Sequence, residues 1–139
     1  MSQITQDRDT RSADSNLSFD QPVAANQILF AGTLAEFNAS GYIVPATAAA
    51  GHRCAGWSAY HVDSTGMADG QYITAINRQP AAFASGAGAD AITQADAGLA
   101  CYVIDNQTVG KTDGAAHDRP RAGKILRVDV DGVWVDFIG

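Results

Sequence analysis

Beyond residue 21 the chain consists of short apolar runs broken by Gly, Asp-Gly and Pro. The runs at 27–31, 42–45, 54–62, 71–77, 81–84, 99–104, 124–130 and 133–138 are interleaved with polar positions. Closely spaced runs of this kind, with turn residues between them, predict an all-β domain: a small compact β-barrel or β-sandwich. One short helical turn is predicted at 93–97, where Thr93 can cap, Asp96 follows three residues on, and Gly98 is a stop.

The last two runs read as a hairpin. A two-residue Asp131-Gly132 loop of type I′ would set Val130 opposite Val133, Val128 opposite Val135 and Leu126 opposite Phe137. All six would share one face. The other face would pair Asp129 with Trp134 and Arg127 with Asp136. That register leaves Trp134 on the polar side, where a neighbouring subunit would cover it.

Residues 1–21 carry no apolar period, and Ile4, Leu17 and Phe19 are their candidate anchors. The expected organisation is an N-terminal arm over 1–21, flexible or ordered on a partner, followed by a single β domain over 22–139. A length of 139 residues predicts one core rather than two.

The apolar fraction of 46% overstates the core, because 26 residues are alanine and Leu, Ile, Val and Phe together number 28. Such a core is thin, so partner contacts are expected to add stability. A net charge of −6 without a Lys/Arg cluster argues against direct nucleic-acid binding. No apolar run reaches the ~20 residues of a membrane span, and no signal-peptide core opens the chain, so a soluble protein made in the cytoplasm is expected.

The motifs that could carry chemistry are incomplete. Gly86-Ala87-Gly88 lacks the third glycine of a dinucleotide loop, and 129–132 lacks the closing glutamate of a calcium loop. Cys54 with His52, and with His61 and Asp63, spells a nucleophile, a base and an orienting acid, but no oxyanion loop accompanies them. His52, His61 and His117 have no metal-site spacing. No catalytic residue, cofactor or metal is therefore assigned. Trp57 and Trp134 are the residues a sugar-stacking platform would use.

Several segments taken in order carry a resemblance. They are Ala31-Gly32-Thr33; Gly41-Tyr42-Ile43-Val44-Pro45-Ala46-Thr47-Ala48-Ala49-Ala50-Gly51; Ile92-Thr93-Gln94-Ala95-Asp96-Ala97-Gly98; Cys101-Tyr102-Val103-Ile104-Asp105-Asn106-Gln107-Thr108-Val109; Arg121-Ala122-Gly123-Lys124-Ile125; and the final hairpin. From about Pro22 to Gly139 this layout resembles the capsid cement (head decoration) proteins of tailed phages. The resemblance implies a virion structural protein without enzymatic activity, on the capsid exterior, commonly a homotrimer that clamps neighbouring major capsid subunits. The interface residues expected on that reading are Ile4, Leu17, Phe19, Arg127, Asp129 and Trp134. A carbohydrate-binding virion module and a small Cys54-dependent hydrolase are the alternatives.

Overall fold

The computed structural model describes residues 17–138. It is mostly β: β1 (Ser18–Pro22), β2 (Ile28–Leu29), β3 (Leu34–Phe37), β4 (Ile43–Pro45), β5 (Arg53–Ser58), β6 (Val62–Asp63), β7 (Ile73–Asn77), β8 (Ala81–Ser85), β9 (Ala100–Val103), β10 (Thr108–Gly110), β11 (Arg121–Asp129) and β12 (Gly132–Asp136). Two isolated 3-10 turns, Gly88–Asp90 and Gln94–Asp96, precede β9. The second is the predicted helical turn, and Asp96 accepts the Thr93 N–H at 2.9 Å.

The first seven strands form a five-stranded sheet in the order β1-β7-β5-β3-β4 and a ribbon, β2-β6. The last five close into a barrel, β10-β8-β12-β11-β9, whose one parallel contact joins β10 to β8. The expectation of a single core is corrected, because the described residues hold two buried clusters. One fills the barrel around Phe83, Val103, Val109, Ile125, Val133 and Val135. The other lies between the sheet and the ribbon, around Val23, Leu29, Ile43, Val62 and Ile76.

Strand alternation makes β3 and β5 the wall between them. Leu34, Cys54 and Trp57 pack on the barrel cluster, whereas Ala35 and Ala55 face the second one. The boundary of the expected arm is also corrected. Ser18 to Gln21 are not outside the domain: β1 pairs antiparallel with β7, Phe19 opposite Ile76.

Glu36 is wholly buried on the barrel side of this wall. Its carboxylate accepts the backbone N–H groups of Thr47 and Ala48, both at 3.1 Å, and meets His52 Nδ1 at 3.0 Å. A buried carboxylate is tolerated when its lone pairs are satisfied in this way.

Two outcomes test this arrangement. Glu36→Gln sets an amide N–H₂ against a backbone N–H, so the urea midpoint of unfolding should fall by the equivalent of about 1–3 kcal/mol. Deleting residues 1–21 removes β1 and bares Ile76, so the truncated protein should melt below the full chain; an unchanged midpoint would return 18–21 to the arm.

Candidate interaction surface

The C-terminal hairpin forms, with a different register. Its two loop residues are Val130 and Asp131: Asp129 pairs with Gly132, Val128 with Val133 and Arg127 with Trp134. A bulge at Leu126 then restores phase, so that Ile125 meets Val135 and Lys124 meets Asp136. The expected pairs Val130–Val133, Val128–Val135, Leu126–Phe137, Asp129–Trp134 and Arg127–Asp136 are therefore corrected.

The cause is local. Neither loop residue is among the described non-glycine residues with positive φ, so the type I′ turn is not made. Asp129 Oδ1 instead accepts the Asp131 N–H at 2.9 Å, and Gly132 takes φ +123° just after the loop. A Cβ on Gly132 would lie 2.5 Å from the Phe83 carbonyl oxygen of β8, so close strand approach, not the turn centre, requires glycine there. Val133, Val135, Phe137 and Ile125 point inward, while Leu126 and Val130 are exposed.

Trp134 does sit on the outer face, half-buried by its own hairpin. Its indole Nε1–H donates to the Asp129 carboxylate at 2.9 and 3.0 Å, and the Arg127 guanidinium carbon lies 4.9 Å from the ring centre. Arg127 Nε also reaches Asp129 Oδ2 at 3.2 Å. The ring that was expected to wait bare for a neighbour is thus capped within the chain, and Arg127, Asp129 and Trp134 form one rigid outward patch. The indole hydrogen bond, first, and then the Asp131 N–H and Arg127 charge hold the Asp129 carboxyl below its ordinary 3.8.

Of the other expected interface residues, Ile4 lies outside the described residues. The Leu17 carbonyl accepts the Arg78 N–H at 2.9 Å, and Phe19 is 40% exposed. Phe19 and Gln21 border a hollow of about 260 Å³ with Phe37, Cys54, Ala55 and Arg78. A second hollow of about 420 Å³, lined by Phe37, Gly41, Arg53 and Cys54, adjoins it. Together they make a groove with an apolar floor and a basic rim. Arg53 lies 6.0 Å from the Phe37 ring centre, and Arg78 Nη2 donates to the Phe137 carbonyl at 3.0 Å. Among the described residues neither guanidinium is paired with a carboxylate.

The residues that could have composed a catalytic set are committed elsewhere. Burial pushes the Cys54 thiol up to about 12 and the Cys101 thiol up to about 11, which disfavours the thiolate a nucleophile needs. His52 is turned to Glu36, His61 stacks against Phe30 at 5.8 Å, and His117 meets Asp113 at 2.9 Å. No group of three metal-ligating side chains occurs among the described residues. Trp57 Nε1 donates to the Gln79 carbonyl at 3.0 Å, and its ring packs on the barrel core, away from any platform with Trp134.

The exposed aromatic group that does exist is Phe30, Tyr60 and His61, beside the β2-β6 ribbon. Sequence reading passed over it, although apolar residues at Ile28, Leu29 and Phe30 in succession mean that a strand is apolar on both faces. Arg53, Arg78 and Val130 were missed as well; a valine in a hairpin loop, flanked by two aspartates, is the signal for the last.

No protein-family model, no curated protein and no solved structure matches the chain. No helix among the described residues is long and apolar enough to cross a membrane.

The ionised Asp129 should report on the patch. Its depressed folded pKa means its contribution is present above the unfolded value near 3.8 and lost as pH falls through the lower folded value. In an NMR titration the Trp134 indole N–H resonance should move with a midpoint below 3.8, and Asp129→Asn should abolish that movement. A midpoint at or above 3.8 would mean that the indole bond does not stabilise the carboxylate.

Proposed function

We propose that the protein is a virion structural protein, a capsid cement protein that binds the exterior of a phage head and clamps neighbouring major capsid subunits as a homo-oligomer, with the trimer favoured. One observation carries the proposal: large apolar side chains stand exposed at separate points of a rigid body. Phe30 is 57% exposed and Tyr60 63%, grouped beside the β2-β6 ribbon, Val130 is 101% exposed at the hairpin tip, and Ile73, Leu99 and Leu126 add further points. Single exposed residues are ordinary, but this set suits a protein that is held by several small contacts at once. Contacts made together by one oligomer on a repeating lattice gain through effective concentration, so each can be weak. The acidic, alanine-rich remainder of the surface keeps the unattached protein dispersed.

The resemblance in segment order supplies the identity of the lattice. The Arg127-Asp129-Trp134 patch supports it with a preorganised Trp beside an Arg, two residue types enriched at interface hot spots. On this reading the partner is protein, nucleic acid is not contacted, and the work is mechanical.

A carbohydrate-binding role is the second reading, favoured by the exposed Phe30, Tyr60 and His61 beside Asp63. Glycan-array binding that is lost in Phe30→Ala, with no attachment to heads, would select it.

The direct test adds purified protein to expanded heads that lack it. Heads so decorated should survive a higher temperature than bare heads, and Trp134→Ala should lower occupancy several-fold while the free protein keeps its far-UV spectrum. Heads that disrupt at the same temperature with and without the protein would refute the cement role.

A further inference from the structure

We infer that the tip of the C-terminal hairpin of one copy seats in the basic apolar groove of a second copy, making a head-to-tail contact between chains. Val130 is fully exposed at the tip, with Asp129 before it and Asp131 after it. Of the exposed large apolar residues among those described, Val130 alone has a carboxylate on both sides. The groove has the opposite composition. Phe37, Cys54 and Ala55 form its floor, and Arg53 and Arg78, with no carboxylate partner among the described residues, form its rim.

The match is one of charge and of shape. A chain of net charge −6 repels its copies at a distance, so a self-contact has to use a local basic site. Arg53 and Arg78 are such a site, and an exposed valine followed by Asp131 presents what they lack: an apolar side chain for the floor and a carboxylate for the rim, while Asp129 stays bound to Trp134 and Arg127 within its own hairpin. The knob is ready to insert. The Asp131 N–H bond to Asp129 and the Trp134 indole bond to the same carboxylate hold the loop rigid, so little ordering is needed on binding. The Arg53 side chain lies over Phe37, which shields the aromatic floor in the free protein and can swing toward an incoming carboxylate.

Knob and groove lie on different parts of the chain, one on the barrel and one at the end of the sheet. The contact is therefore heterologous, and repetition closes a ring or extends a row. This inference does not rest on the capsid reading, and its test needs no capsid.

The test uses two full-length variants whose changes fall on exposed side chains. Val130→Asp disables the knob and leaves the groove; Arg53→Asp disables the groove and leaves the knob. Circular dichroism melting verifies that both fold like the unaltered protein. In sedimentation equilibrium the unaltered protein should self-associate, and each variant alone should associate at least about tenfold more weakly, a loss of the size expected for an interface anchor. An equimolar mixture should form one-to-one dimers and stop there, because each variant retains the half that the other has lost. Three results would overturn the inference: an unaltered protein that stays monomeric at millimolar concentration, variants that self-associate as it does, or a mixture that remains monomeric.

Discussion

The Glu36 carboxylate accepts two backbone N–H groups and meets His52 in a place sealed from solvent, and the packing of the two units on each other leans on it. The segment it holds, Ala46 to Gly51, has no large apolar side chain of its own, and Ala48 takes an unfavourable φ of +58°. Nothing in that loop would keep it against the sheet by burial alone. Fastened by the carboxylate, it delivers Ala46 and Ala48 to the barrel core beside Leu34. Because β3 carries Leu34 and Glu36 on one face and Ala35 on the other, the same short strand sets the spacing of both cores.

Thin cores impose a second condition, which is close backbone approach. A Cβ on Gly123 would lie 2.1 Å from the Asp136 carbonyl oxygen, so β11 can cross the end of β12 only with glycine at that point. Valine, alanine and cysteine then fill the barrel beside a few larger side chains, among them Ile125 and the edge-to-face pair Phe83 and Phe137. Arg78 adds a polar tie between the units through the Phe137 carbonyl. The molecule is thus held by a modest number of specific contacts, each with few substitutes.

What could be read from the sequence follows from these facts. The runs rich in β-branched residues became strands, among them β7, β9 and β11, because their own pattern declares them. β3 was not legible: alanine and glutamate are weak strand formers, and a glutamate signals solvent until the three donors around it are known. β10 was not legible either, since three residues acquire strand geometry from β8 and β9 on either side. The outward placement of Trp134 was read correctly because alternation along β12 is undisturbed. The pairing across the hairpin was not, because the bulge at Leu126 and the demand of β8 for glycine at 132 are tertiary facts. The groove escaped notice for the same reason: Phe19, Phe37, Arg53 and Arg78 come together only when four strands are laid side by side.

The first strand of the sheet has one more bearing on behaviour. Leu17 and Val23 direct hydrogen bonds to Arg78 and Tyr72 on either side of β7, so Asp20 turns its backbone groups to the outer side. A parallel bridge between Val23 and Ile43, with the Ala24 N–H donating to the Ile43 carbonyl at 3.0 Å, ties the end of β1 to β4. Proline offers no N–H there, and the aspartate adds a charge to a strand of five residues. The other large unit is a closed cylinder and has no rim strand at all. An edge strand that is charged, interrupted by proline and tied at one end to the far side of its own sheet offers little unpaired backbone on which a further strand could grow.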